Sequence, residues 1–208
     1  MYFSRKCKIT FICHGATIYS EENRLSDVEN YPQLSELGQE EVERITEFLR
    51  RRGVKNDVIY TSPAERTMQT AKIISKLYKK DCTVLDELRP RKCGKLNGLT
   101  LEQIENKYPD LLESWFNNTE YDENLEAESI TDFINHTKKI IDNVVAQNQS
   151  NRVIIVTHPE VIQAAICSAL DMPHNKIAKI FIKTGSATQI SYYEKWASLV
   201  YSDYTPIF

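Results

Sequence analysis

The sequence predicts an α/β fold: a three-layer sandwich with a mostly parallel central sheet, helices on both faces, and an inserted lid over the strand ends. Three observations carry that expectation. Two apolar runs, Ile9-Thr10-Phe11-Ile12-Cys13-His14-Gly15 and Arg152-Val153-Ile154-Ile155-Val156-Thr157-His158, each read as a buried strand that ends on a histidine. Strand-like and helix-like segments alternate along the chain, the pattern of right-handed βα units wound about a sheet. Residues 89 to 128, by contrast, are turn-rich and then polar and acidic, which suits an excursion above the sheet. In open α/β sheets ligands bind outside the carboxyl ends of the strands, so His14 and His158, two of only four histidines, fall where chemistry is expected.

Composition bounds the classes open to the chain. Its 208 residues suit a single domain with the lid insertion at about 89–128. Hydrophobic residues at 41% and charged residues at 26% are ordinary for a globular protein. No apolar run approaches the ~20 residues of a membrane span, so no membrane partner is expected. A net charge of −3 leaves no basic stripe for nucleic acid, and any anion must be held in a local pocket. Five scattered cysteines, Cys7, Cys13, Cys82, Cys93 and Cys167, form no C-x-x-C pair and read as reduced thiols; no leader-like run opens the sequence, so a cytoplasmic protein is expected. No metal-ligand spacing stands out, no cofactor is implied, and oligomeric state is not legible.

Element by element, Tyr19 to Arg24 is polar and reads as a loop over the first strand end. Ser35 caps a helix to about Arg52 whose apolar stripe is Val42, Ile45, Phe48 and Leu49; acidic residues lie early, arginines late, and Gly53 stops it. Val58 to Thr61 is a short strand, followed by Ser62 as cap, Pro63 at the first helical position and Glu65 completing a capping box. Arg66 then falls in the first helical turn, where it can face the same cleft as His14. Thr83 to Leu85 predicts another strand, and Asp86 to Gly98 is basic and rich in turns. Thr100 with Gln103 opens a helix that Pro109 interrupts; Asp110 to Phe116 reads as a further short helix, and Asn117 to Glu128 as an exposed loop. Ser129 with Asp132 starts a helix that buries Phe133, Ile140, Ile141, Val144 and Val145. After His158, Val161 to Leu170 is apolar nearly all round and predicts a core helix. Ile180 to Ile182, Gln189 to Tyr193 and Trp196 to Tyr201 read as closing strands.

Several short motifs stand in an order that resembles a known family. Cys13-His14-Gly15-Ala16-Thr17 looks like Arg-His-Gly-Glu-Thr with its arginine and glutamate replaced, and Asn23-Arg24 matches the loop that follows, with Ser20 at a usual asparagine. Leu34-Ser35-Glu36-Leu37-Gly38 resembles Leu-Thr-x-x-Gly; Ser62-Pro63-x-x-Arg66-x-x-Gln69-Thr70-Ala71 and Val156-Thr157-His158 follow, with Glu128-Ser129 echoing Gly-Glu-Ser. Together they resemble the phosphoglycerate-mutase-like branch of the histidine phosphatase superfamily over almost the whole chain.

That resemblance implies a phosphoryl-transfer enzyme that needs no metal: His14 becomes phosphohistidine, while Arg66 and His158 hold the phosphate. It also implies a substrate-binding wall at Cys13, Ser20, Asn23 and Arg24, and a small phosphorylated molecule as partner. Two departures matter. The family's first arginine is Cys13 here, and a lost charge-assisted hydrogen bond of about 1.5–3 kcal/mol costs on the order of tenfold to a few hundredfold. The usual acid glutamate is Pro90, which cannot donate; Glu87 upstream and Glu160, two residues after His158, are the replacement candidates. Glu160 reads equally as a charge that complements the dipole of the helix it opens. The leading expectation is a phosphatase acting on a small phosphomonoester. The alternative is a weak or inactive member that binds phosphorylated ligands or partners; a mutase would need the missing arginine to retain a bisphosphate.

Overall fold

Because the run from Ile9 to Cys13 offers no polar face, its strand has to be covered on both sides. The computed structural model, which describes residues 4–27, 32–109, 111 and 125–206, covers it with two helical layers. The chain order is β1 (Arg5–Cys13), α1 (Ile18–Glu21), α2 (Glu36–Arg51), β2 (Val58–Thr61), α3 (Glu65–Tyr78), β3 (Cys82–Val84), α4 (Leu101–Lys107), α5 (Ile130–Gln147), β4 (Arg152–Thr157), α6 (Pro159–Ala169), β5 (Ala187–Tyr193) and β6 (Ala197–Tyr204). The strands form one six-stranded sheet in the order β3-β2-β4-β1-β5-β6. From β3 through β1 the pairings are parallel; β5 runs antiparallel to β1, and β6 antiparallel to β5. This is the α/β architecture the strand and helix pattern predicts.

Alternate residues of β1 serve opposite layers. Cys7, Ile9, Phe11 and Cys13 share a core with Phe133, Ile140 and Ile141 of α5 and with Val161, Ile162 and Ile166 of α6. On the other side Ile12, with Ile59, Ile154 and Val156, meets Ile45 and Leu49 of α2 and Ile74 of α3. A third cluster, Cys93, Leu96, Ile104, Leu125 and Ala127, gathers residues of the 89–128 stretch, and an isolated β-bridge pairs Thr100 with Arg24. Among the described residues, nothing between 89 and 128 joins the sheet.

The predicted caps are present at three helices. Ser35 accepts from Gly38 N at 3.1 Å, Thr100 and Gln103 bond reciprocally, and Ser129 accepts from Asp132 N. Four expectations are corrected. Ser62 and Glu65 make no capping box: Ala64 is the N-cap of α3, without a side-chain bond, because the Ser62 hydroxyl is engaged elsewhere. Residues 18–21 are a short helix, not loop, held by a reciprocal bond between Thr17 and Ser20. Ile180 to Ile182 forms no strand; it follows a 3-10 stretch, His174–Lys179, and the Ile180 carbonyl bonds Gln163 of α6 while Ile182 is buried. Leu125 and Ala127 are buried rather than exposed, since the third cluster needs them. The helix expected over Asp110 to Phe116 and most of the loop after it lie outside the described residues.

Candidate active site

Parallel register brings three chain segments to one edge of the sheet. Cys13 stands opposite Thr157, and Thr61 opposite Val156. The next residues, His14, His158 and Ser62, therefore emerge side by side from β1, β4 and β2. His14 N donates to Thr157 O at 3.0 Å and Ser62 N to Val156 O at 3.1 Å, which continues the ladder into the site. The two imidazole centroids are 5.3 Å apart at an interplanar angle of 63°, and the rings are 5% and 0% exposed.

Each ring is oriented by a neighbour. His14 Nδ1 lies 2.8 Å from the Gly15 carbonyl; a carbonyl only accepts, so the proton sits on Nδ1 and Nε2 keeps its lone pair. Arg66 Nε donates to that Nε2 at 3.3 Å. Burial, followed by the Arg66 charge, lowers the His14 pKa to about 3, so the ring is neutral at ordinary pH. His158 is held well below its usual value by burial, then by Arg66 and His14. Its Nε2 is 2.7 Å from Ser62 Oγ, whereas its Nδ1 has no partner among the described residues. The Ser62 turn is locked in turn by Thr67 Oγ1, which donates to Ser62 O at 3.0 Å.

Arg66 is buried in the cleft, at 2% exposure. Its Nη2 donates to Ser26 O at 3.4 Å, and its Nη1 is buried without a partner among the described residues. An unsatisfied buried guanidinium donor costs free energy, and an anion beside His14 would satisfy it. Thr70 supports the arrangement from behind: its hydroxyl accepts from Gly15 N and donates to Arg66 O.

Of the other sequence candidates, Glu160 occupies the first turn of α6, partly buried. Burial raises its carboxyl pKa, and Arg66 and Arg91 act on it in the opposite sense, so both guanidiniums reach it electrostatically. Cys13 is fully buried on the β1 face that packs on α6; burial, then Glu160, holds its thiol neutral. Ser20 closes the reciprocal bond with Thr17, and Asn23, at φ +53°, accepts from Leu101 N through its carbonyl. Arg24 pairs with Glu22 and donates to Gly98 O at 2.9 Å, so these residues tie the α1 turn to the α4 segment. Glu87 is exposed, and its backbone carbonyl accepts from His136 Nε2.

Sequence reasoning passed over Ser62 as a partner of His158, Arg91 as a buried cation, and Asp27, buried and bonded to Cys93 N and Asn97. Only the basic character of residues 89–95 hinted at Arg91. Among the described residues no cluster of His, Cys, Asp and Glu has the makings of a metal site, and no helix is long and apolar enough to cross a membrane.

The same arrangement of chain occurs in known proteins. A solved structure from Bacillus stearothermophilus, YhfR, superimposes with a TM-score of 0.87 at 20% identity, over 96% of this chain and 98% of that one, which shows the shared fold. Phosphoserine phosphatase 1 of Hydrogenobacter thermophilus is 25% identical over 169 residues, covering 81% of this chain and 79% of its own. The 2,3-bisphosphoglycerate-dependent phosphoglycerate mutase of Thermoplasma acidophilum is 28% identical over 179 residues, covering 86% and 84%. The chain spans about half the length, 52%, of mycobacterial relatives to which it is 26% identical. The model of the histidine phosphatase superfamily, branch 1, matches residues 9–203, from the apolar part of β1 into β6, and the chain belongs to that family.

Proposed function

We propose that this protein is a phosphatase that hydrolyses a small phosphomonoester through phosphohistidine at His14. One observation carries the reading: a neutral imidazole whose Nε2 lone pair faces Arg66 Nε at 3.3 Å, with Arg66 Nη1 left for a further acceptor. Nε2 attacks phosphorus and the ester P–O bond breaks; Arg66 and His158 hold the equatorial oxygens, which carry the spread charge. The Nδ1–H bond to Gly15 O stabilises the cationic phosphoimidazole. Glu160, whose burial favours the protonated form, gives a proton to the leaving oxygen, then takes one from the water that frees phosphate and restores His14. The helix dipole of α6 begins at His158 and favours the same anion. No step requires a metal or cofactor. Residues 89–128 serve as the lid over the substrate, and the five free cysteines favour a reducing, cytoplasmic setting.

A second reading, phospholigand binding with weak or no turnover, is favoured by Cys13 and Pro90 at two positions where the family pattern has an arginine and a glutamate. A phosphate-release assay over a phosphomonoester panel separates the two. Turnover that disappears in His14→Ala, with acid-labile phosphate trapped on the wild type alone, supports the phosphatase. Phosphomonoester binding without release supports the second reading. Turnover that survives His14→Ala overturns the nucleophile.

A further inference from the structure

We propose that Ser62 is a positioning residue for His158: its hydroxyl donates to Nε2, which puts the ring proton on Nδ1 and makes Nδ1–H the donor that meets a phosphate held at His14. The inference rests on the phosphatase reading above and concerns which atom of the second histidine serves it.

The strand order β2-β4-β1 sets His158, at the end of β4, between Ser62 on one side and His14 on the other. Towards β2, Ser62 Oγ lies 2.7 Å from His158 Nε2. Towards β1, the His14 ring stands 5.3 Å away between centroids. Ser62 has little freedom of its own. It is fully buried, its N donates to Val156 O at 3.1 Å, and its carbonyl accepts from Thr67 Oγ1 at 3.0 Å. Its Oγ also accepts from Ala64 N at 3.4 Å, in the turn that opens α3.

Hydrogen counting assigns the tautomer. Burial, then Arg66 and His14, keeps the His158 ring neutral, and a neutral imidazole carries one N–H. Were that proton on Nε2, Ser62 Oγ would accept from both Ala64 N and Nε2, and the hydroxyl proton would have no acceptor among the described residues. Nδ1 would then be a second unsatisfied atom. With the proton on Nδ1 instead, the hydroxyl donates to Nε2 and a single group is left over, the buried Nδ1–H. Unsatisfied buried polar groups are costly, so the arrangement that leaves one is favoured over the arrangement that leaves two. The group left over also has the right polarity, since a phosphate dianion accepts hydrogen bonds and a bare nitrogen lone pair would repel it. Nε2 is taken by Ser62, so Nδ1 is the nitrogen of His158 that remains for the anion. The Gly15 carbonyl sets the same tautomer in His14, where it is the bare Nε2 that is put to use. One ring is thereby prepared to attack and its neighbour to bind.

The test is NMR of labelled imidazole nitrogens in the intact protein, joined to calorimetric titration with inorganic phosphate. The wild type should show His158 with Nδ1 protonated and Nε2 bare. The reverse pattern overturns the proposal, even if every variant fails to fold, and leaves the phosphatase reading standing. In Ser62→Ala the proton should pass to Nε2 in part of the population, and phosphate should bind about twofold to tenfold more weakly. A tautomer unchanged in Ser62→Ala would overturn the proposal. His158→Asn offers an amide N–H in place of Nδ1–H and has no tautomer to set, so adding Ser62→Ala to it should cost no further phosphate affinity. An equal loss in both backgrounds would mean that Ser62 acts through the fold alone, and would also overturn it. A wild type that binds no phosphate removes the role of Nδ1–H, while phosphate release that depends on His14 judges the phosphatase reading separately.

Discussion

A phosphomonoester with a poor leaving group needs a proton on the bridging oxygen as its bond breaks, whereas an aryl ester needs it much less. Glu160 lies in the first turn of α6, two residues after His158, and its burial favours the protonated form; Glu87 is exposed and turned to α5 through its backbone. Glu160→Gln should therefore slow alkyl phosphate hydrolysis by ~10²–10⁴-fold and aryl phosphate hydrolysis far less. Steady-state kinetics on one substrate of each type checks this, and equal small losses on both would reject Glu160 as the acid. Activity should also decline on the alkaline side as Glu160 ionises, while the acid side should not follow His14, whose pKa is about 3. A pH profile of kcat/KM that falls between pH 7 and 6 with the slope of a single imidazole would contradict that. At this scale the sequence put forward His14, His158, Arg66 and Glu160 as candidates. It misread Ser62, because a serine before proline and glutamate is locally a cap; only the arrival of β4 beside β2 puts an imidazole 2.7 Å from its hydroxyl.

The short motif Leu34 to Gly38 acquires a physical reason once α2 is placed. Its first turn lies against the segment that follows His14: Ser35 N donates to Ala16 O, and Glu41 Oε2 accepts from Ala16 N at 2.8 Å. A Cβ on Gly38 would stand 2.0 Å from Ala16 O, and one on Gly15 would stand 2.3 Å from Gly38 O. Backbone meets backbone here, so neither side can yield as a flexible side chain does. Gly38→Ala should lower stability by about 1–3 kcal/mol, the overpacking cost, even though alanine is the better helix former by ~1 kcal/mol. Because the displaced segment carries His14, the phosphate KM should rise as well. Urea unfolding with kinetics on the same samples measures both, and a variant as stable and active as wild type would show that this contact is not tight. The caps of α2, α4 and α5 were legible from four-residue patterns alone, since a cap is closed by its own neighbours. A close approach between Gly15 and Gly38, 23 positions apart, has no such local signal.

Across the whole molecule, two neutral imidazoles buried at the sheet edge link folding to pH. Both have folded values below the unfolded value near 6.5, so below that value the unfolded chain binds protons that the native chain refuses, for His14 down to about 3. Their contribution is complete above pH ~6.5 and is lost as pH falls, at up to ~1.4 kcal/mol per pH unit for each ring. Glu160 works the other way, because its folded value is raised and its contribution is lost as pH rises from about 4.5. The histidine pair dominates between pH 6.5 and 5, so urea midpoints should fall over that range. His14→Gln should flatten the fall by about half; an unchanged slope would mean that His14 does not stay neutral in the folded protein.

The sequence by itself determined the α/β class, the βα alternation, most helix limits, and the pairing of two histidines with matching strand ends. These follow from local periodicity, from caps closed within four residues, and from apolar runs too continuous to leave uncovered. Only the tertiary structure decided how the ends meet: the register of Cys13 with Thr157, the bond from Ser62 to His158, and the burial of Leu125 and Ala127. It alone turned Arg91 inward while Arg89 faced Glu128, although both arginines sit in one basic turn. Which of two neighbouring cations is buried depends on what surrounds each, here Glu128 at a separation of 37 and 39 residues, and no local pattern encodes a partner that far along the chain.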